Sequence, residues 1–188
     1  GYTSSFRYDA TGQVVEATDG NGNATSYAYD AVGNLVSVTR PEGGIERYLY
    51  DAEGQLIKHS TPRGSTEQFG YDALGNVSEY INPLGAVTLY EHDSSGGLTR
   101  EVDAVGNATS YEYDAAGNMV KMTKPNGADW SFDYDLLGRM TAIVSPRGYT
   151  RSFDYGIGDT VARESDNAGR SSTYAYDAVG RMVEARNN

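Results

Sequence analysis

Carboxylates dominate the chemistry this chain could offer. Its 188 residues carry 26 Asp and Glu against 15 Lys and Arg, a formal net charge of −11. Two carboxyl groups facing one substrate can act as general acid and as base or nucleophile, so a carboxylate-pair hydrolase is the first activity to weigh. Eight of the acids, however, are Asp9, Asp30, Asp51, Asp72, Asp93, Asp114, Asp135 and Asp177, spaced by multiples of 21 residues. A residue needed in every copy of a unit serves the backbone of that unit rather than a reaction at one place.

The other candidates give way similarly. Asp19-Gly20-Asn21-Gly22-Asn23 with Asp30 partly fits a calcium loop, but Ala24 stands where that loop needs Gly, Asp stands where it needs Glu, and no helices flank it. His59 and His92 are the two histidines and there is no Cys, too few ligands for a metal site. His92 occupies a slot that is tyrosine in the other units. No catalytic, cofactor-binding or metal-binding residue is assigned, no cofactor is expected, and no unique polar cluster breaks the repeat, so the chain is expected not to be an enzyme.

Composition narrows the rest. A net charge of −11 opposes binding to nucleic acid or to an anionic membrane surface. No run approaches the roughly 20 apolar residues of a membrane-spanning helix. The first residue is Gly rather than Met, so the chain is expected to be an excised segment. Sixteen Tyr against four Phe and one Trp, with 23 Gly, suggest half-wet strands joined by many turns.

These residues fall into nine units of 21 that fill positions 1–188 as one array, without insertion or deletion. Tyr8, Tyr29, Tyr50, Tyr71, Tyr113, Tyr134 and Tyr176 each precede an aspartate, and the two remaining slots read His92-Asp93 and Tyr155-Gly156. Two residues before that slot stands an aromatic in every unit, from Phe6 to Tyr174; the two columns hold 17 of the 21 aromatics. Four residues after it comes Gly12, Gly33, Gly54, Gly75, Gly96, Gly117, Gly138 or Gly180, with Asp159 as the exception, and two further on an apolar residue, from Val14 to Met182. A second glycine column runs unbroken from Gly1 to Gly169, and all five prolines lie two residues before it.

Each column has a physical meaning. Aromatics two apart share one face of a strand. "DAVGN" spells a type I turn: its Asp can hydrogen-bond the backbone ahead, and its Gly takes the left-handed conformation that closes a hairpin with a bulge. "RPEG" or "TPRG" spells a second turn, with proline presetting φ. Two turns in 21 residues leave two short strands, so the fold class is all-β: tandem hairpins in a long antiparallel meander of 18 strands that curls rather than lying flat. Successive rings are expected to form ladders, with the apolar column of the second strand between them. Unit eight, "FDYGIGDT", loses its turn Asp and moves its glycine to Gly158, which is read as simple drift of the repeat in preference to a local kink, an altered turn or a contact point.

The pattern G-x-x-[TE]-x-[YF]-x-Y-D-x-x-G-[NRQ]-[LVM] resembles the tyrosine–aspartate (YD, or Rhs) repeat of bacterial Rhs toxins, toxin-complex shell subunits and teneurins, over the whole chain. The resemblance implies a β-strip that spirals into a hollow shell around a C-terminal toxin, as in a secreted polymorphic toxin. Its partners would then be the rest of the shell and its cargo, and its place outside the producing bacterial cell. The closing core segment, the toxin domain and the N-terminal loading domain of that family are not recognisable here, so the chain is expected to be a stretch of wall. Eighteen strands at ~4.8 Å span roughly 86 Å, a ring only about 27 Å wide, against about 33 Å for a compact 100-residue cargo. An extracellular carbohydrate- or protein-binding adhesion module is the alternative, because exposed rings can stack on sugars. Unpaired strip edges would favour self-association.

Overall fold

The structure, a computed structural model, describes residues 3–188; Gly1 of the second glycine column lies outside them. The chain forms two compact units, Gly1–Tyr90 and Glu91–Asn188, and each is described by itself. The first holds β1 (Ser5–Tyr8), β2 (Val14–Thr18), β3 (Ala24–Tyr29), β4 (Leu35–Thr39), β5 (Ile45–Tyr50), β6 (Leu56–Ser60), β7 (Thr66–Tyr71), β8 (Val77–Ile81) and most of β9 (Val87–His92). The second holds β10 (Leu98–Val102), β11 (Ala108–Tyr113), β12 (Met119–Thr123), β13 (Asp129–Tyr134), β14 (Met140–Val144), β15 (Thr150–Tyr155), β16 (Val161–Asp166), β17 (Ser171–Tyr176) and β18 (Met182–Asn187). Within each unit every strand pairs antiparallel with the next, so both are hairpin meanders with the strand and turn rhythm of the sequence.

Two kinds of pairing alternate. Within a hairpin that ends in the Asp turn, Tyr8 faces Val14, Arg7 faces Glu16, and Val15 is left over as a bulge. The same shift recurs beside Tyr29, Tyr50, Tyr71, Tyr113, Tyr134, Tyr155 and Tyr176. Between hairpins, across the second turn, the register is regular and short: Glu16 to Ser26, Ala17 to Thr25, Thr18 to Ala24. A bulge bends its strand and increases the local twist. The start of β2 therefore leaves the ladder with β3 just where the bulge lies.

Among the described residues Val38, 6% exposed, is the one buried apolar side chain. Each unit is thus a layer whose side chains are mostly half-covered. The first aromatic column packs across its own hairpin: Phe6 faces Ala17, Tyr27 faces Val38, Tyr48 faces His59 and Phe69 faces Tyr80. Where the facing residue is aromatic the rings meet, Tyr48 stacking on His59 at 4.9 Å and Phe69 meeting Tyr80 at 5.4 Å. Rings of one column lie two strands apart, about 9.6 Å, so what each touches is the residue on the strand between.

Unit eight closes differently. A short 3-10 turn spans Ile157–Asp159, and Gly158 (φ 71°) and Asp159 (φ 61°) are both left-handed. Asp159 sits in the slot where the other units place glycine, and a Cβ there works against the left-handed backbone. Its carboxylate accepts from Arg139 at 3.1 Å, but the Asp159 side chain is 76% exposed and the pair is worth little. Asp159→Gly is expected to raise stability by roughly 0.5–1 kcal/mol. Equilibrium urea unfolding measures this; a loss of stability would show that the Arg139 contact outweighs the backbone strain.

Candidate functional site

Most repeats build the same two devices, an aspartate-clasped turn and a tyrosine that ties one hairpin to the one before. In the first turn the Gly12 N–H donates to the Asp9 carbonyl (3.2 Å) and the Asp9 N–H donates to the Gln13 carbonyl (2.9 Å). The Asp9 Oδ1 then accepts from the N–H of Thr11 (2.8 Å) and of Gln13 (2.9 Å). Oδ1 does the same at Asp30, Asp51, Asp72, Asp93, Asp114, Asp135 and Asp177, each accepting the N–H two and four residues on. The turn glycines from Gly12 to Gly180 lie between φ 77° and 99°. At Gly33, the extreme at 99°, an added Cβ would also stand 3.3 Å from the Gln13 side chain.

Hydrogen bonding holds six of these carboxyl groups ionised. Side-chain donors lead in lowering the pKa at Asp9 (Thr11), Asp93 (Ser95), Asp114 (Asn118) and Asp135 (Arg139); backbone N–H groups lead at Asp30 (Asn34) and Asp177 (Arg181). Asp19 and Asp103, in second turns, are lowered chiefly by Asn23 and Asn107. Asp19 holds the N–H groups of Asn21 and Asn23 and the Asn23 amide, so the loop that partly fits calcium is a hydrogen-bonded turn. Among the described residues no group of three His, Cys, Asp or Glu could hold a metal ion.

The tyrosine column does what the sequence does not announce. The Tyr29 hydroxyl donates to the Val14 carbonyl at 3.0 Å, fifteen residues back and beyond the last β2–β3 pair. Tyr50 reaches Leu35 (3.0 Å), Tyr71 Leu56 (2.8 Å), Tyr113 Leu98 (2.9 Å), Tyr134 Met119 (3.0 Å), Tyr155 Met140 (2.6 Å) and Tyr176 Val161 (2.9 Å). Each acceptor belongs to the apolar column. The bulge draws that carbonyl out of the ladder, and the phenol reaches across the gap to satisfy it. Tyr8 is 57% exposed, and its hydroxyl meets no acceptor among the described residues.

One place in the second unit departs from the repeat. Tyr149 and Arg170 occupy a slot that elsewhere in the sequence holds Tyr2, Asn23, Gly44, Ser65, Ala86, Asn107 or Ala128. Tyr149 donates to Asp166 Oδ2 at 2.8 Å, Arg170 Nε donates to the same atom at 2.6 Å, and the Arg170 guanidinium lies 6.0 Å from the Tyr149 ring centre. The Asp166 side chain is only 6% exposed. Desolvation opposes its ionisation, yet the Arg170 N–H, the Tyr149 hydroxyl and the Arg170 guanidinium together bring its pKa from 3.8 to about 2. With Arg151, Glu164 and Ser172 these residues line a cleft of about 440 Å³. The expectation that no polar cluster breaks the repeat is thereby corrected; the signal was two large polar side chains in consecutive units, after six units from Asn23 to Ala128 with smaller residues in that slot.

These features define a class: a tandem β-hairpin repeat with carboxylate-clasped turns, in which seven of the hairpins are tied to their predecessors by a phenol. The sequence profile of the teneurin YD-shell matches residues 2–156, and the chain belongs to that family. Among solved structures it is similar to TcdB2-TccC3-TEV (TM-score 0.79, 18% identity, covering 98% of this chain and 11% of that one) and to TcdB2-TccC3 (0.79, 18%, 98% and 12%). It is also similar to the Tc holotoxin pore of Photorhabdus luminescens (0.56, 16%, 98% and 12%). At such identities the likeness is one of fold. The chain spans about a ninth of the length of these relatives. A comparison with curated proteins returns no match.

Proposed function

We propose that this chain is a stretch of wall in a YD-repeat shell that encloses a C-terminal toxin in a secreted bacterial polymorphic toxin. The observation that carries the proposal is the tie repeated seven times: the side chain most characteristic of the repeat is engaged in joining one hairpin to the last, and so is committed to architecture. Membership of the YD-shell family and the fold shared with TcdB2-TccC3 support it. On this reading residues 1–188 are one array of nine units within a longer protein, acting without catalysis or cofactor. The partners are neighbouring shell and cargo, and the protein works outside the producing cell. Among the described residues no helix is long and apolar enough to cross a membrane.

Sequencing the parent gene on both sides of this segment tests the proposal. Many further 21-residue units, then a self-cleaving core and an unrelated C-terminal domain, are the expected finding. A transmembrane span joined to adhesive extracellular modules would overturn it and favour the second reading, a carbohydrate- or protein-binding surface. One observation speaks for that reading: the cleft beside Tyr149 is lined by that tyrosine together with Arg151, Arg170, Glu164 and Asp166. Glycan-array binding that disappears in Tyr149→Ala would establish it.

A further inference from the structure

Asn21-Gly22 and Asn126-Gly127 are the two Asn-Gly pairs of the chain, and both stand exposed in second turns. Asparagine is a thermolabile residue, most of all before glycine, which has no side chain to keep its nitrogen away from the asparagine Cγ. Attack by that nitrogen forms a C–N bond and closes a succinimide ring. The side-chain nitrogen leaves as ammonia, carrying the proton lost from the glycine N–H. Water then opens the ring at either carbonyl, giving aspartate or isoaspartate.

The two turns hold their glycine nitrogens alike. Gly22 donates to the Asp19 carbonyl at 3.0 Å and Gly127 to the Lys124 carbonyl at 2.9 Å, and both glycines are left-handed, with φ 86° and 77°. Attack needs that nitrogen free, so each site reacts only while its turn is open. What keeps the turns closed differs. Asp19 Oδ1 accepts the N–H groups of Asn21 and Asn23 at 2.8 and 2.9 Å, and its Oδ2 accepts the Asn23 amide at 2.9 Å. The matching position in the other turn is Lys124, whose side chain has no acceptor. That turn is stiffened instead by Pro125, where the first has Gly20. A hydrogen bond to a charged group shifts an equilibrium roughly tenfold or more, and proline in place of a freer residue only about two- to fivefold, so the clasp outweighs the ring. The Asn126 side chain is also folded back over the peptide that would attack it, since its Oδ1 accepts the Ala128 N–H at 3.1 Å.

We infer that Asn126 is a site of spontaneous deamidation, and that the Asp19 clasp shields Asn21 from the same reaction. Conversion at Asn126 adds a negative charge to the turn between β12 and β13. In the isoaspartate product it also adds one atom to the backbone, beside the ladder in which Thr123 faces Asp129. The clasping carboxylate thus protects the chain chemically as well as closing its turns. This chemistry is independent of what the strip encloses, and its failure would leave the shell proposal standing.

The full chain is to be kept for weeks in warm buffer at neutral pH, then digested and mapped by mass spectrometry, with isoaspartate scored by enzymatic methylation. Asn126 is expected to convert roughly tenfold faster than Asn21, or more. Asp19→Ala is expected to speed Asn21 by a similar factor and Lys124→Asp to slow Asn126, each leaving the other site unchanged. The second variant keeps the test sound should the first loosen more than its own turn. In denaturant, where neither turn survives, the two sites are expected to react at similar rates; a difference that persisted there would belong to local sequence and overturn the inference. Equal rates in the folded chain, an Asn126 that stays intact, or an Asn21 indifferent to Asp19→Ala would do the same.

Discussion

Replacing Tyr29, Tyr50, Tyr71, Tyr113, Tyr134, Tyr155 and Tyr176 by phenylalanine together is expected to leave the chain largely unfolded at room temperature. Each substitution keeps the ring and deletes one hydroxyl that donates to a backbone carbonyl on the preceding hairpin. A net contribution of about 1 kcal/mol per bond is usual, and well-separated sites add, so the set totals roughly 7 kcal/mol. Whole domains are stable by only about 5–15 kcal/mol, and a layer with a single buried apolar side chain among the described residues has little in reserve. Tyr50→Phe alone is expected to cost about 1 kcal/mol in urea unfolding. Tyr27→Phe is the control: no hydrogen bond engages its hydroxyl among the described residues, and the change is expected to stay within about 0.5 kcal/mol. Equal costs at Tyr27 and Tyr50 would mean that the tie contributes nothing beyond the ring.

Acid is expected to dismantle the same structure from its turns. Carboxyl groups at Asp9, Asp19, Asp30, Asp93, Asp103, Asp114, Asp135 and Asp177 titrate lower in the folded chain than their ordinary 3.8, and Asp166 titrates at about 2. A depressed folded pKa means that the unfolded chain binds more protons at the same pH, so stability rises with pH across that window. The contribution is complete above the unfolded value of ~3.9 and is lost as pH falls through the folded values. Thermal unfolding followed by circular dichroism should therefore show a melting temperature nearly level above pH ~5 and falling steeply below pH ~4. The steepness reflects the number of similar groups. Asp30→Asn and Asp114→Asn should each flatten the fall slightly, since an amide oxygen still accepts the two backbone N–H groups without titrating. A melting temperature that rose on acidification would show that repulsion within a chain of net charge −11 outweighs the turns.

The strands and turns were legible because glycine, proline and aspartate punctuate the chain at fixed offsets, and each has a local backbone reason to stand where it does. Asp9 and Gly12 act within five residues of chain, so their geometry follows from sequence alone. The tie was not legible. It depends on where the Val14 carbonyl points after the bulge at Val15, and the bulge column (Val15, Val36, Ile57, Ser78, Val120) has no residue type that marks it. The rings were read as ladders because like residues recur, but the pleated sheet sets like residues two strands apart, and Tyr27 meets Val38 instead of Tyr48. The cluster at Asp166 was visible only as two oversized side chains, and what they share became clear once β15 and β17 were placed on either side of β16.

An interface that repeats without change of register makes the hairpin a unit of length. Removing residues 24–44 would leave every later residue in its own column: Ile45 would take the place of Ala24, Arg47 that of Ser26, and Tyr50 that of Tyr29 against Val14. Removing one residue fewer would turn every later side chain to the opposite face. A gene of this kind can lengthen or shorten its product only in whole steps, each adding about 9.6 Å of strip. Duplication of a unit then changes the span of the strip while leaving every seam in it as it was.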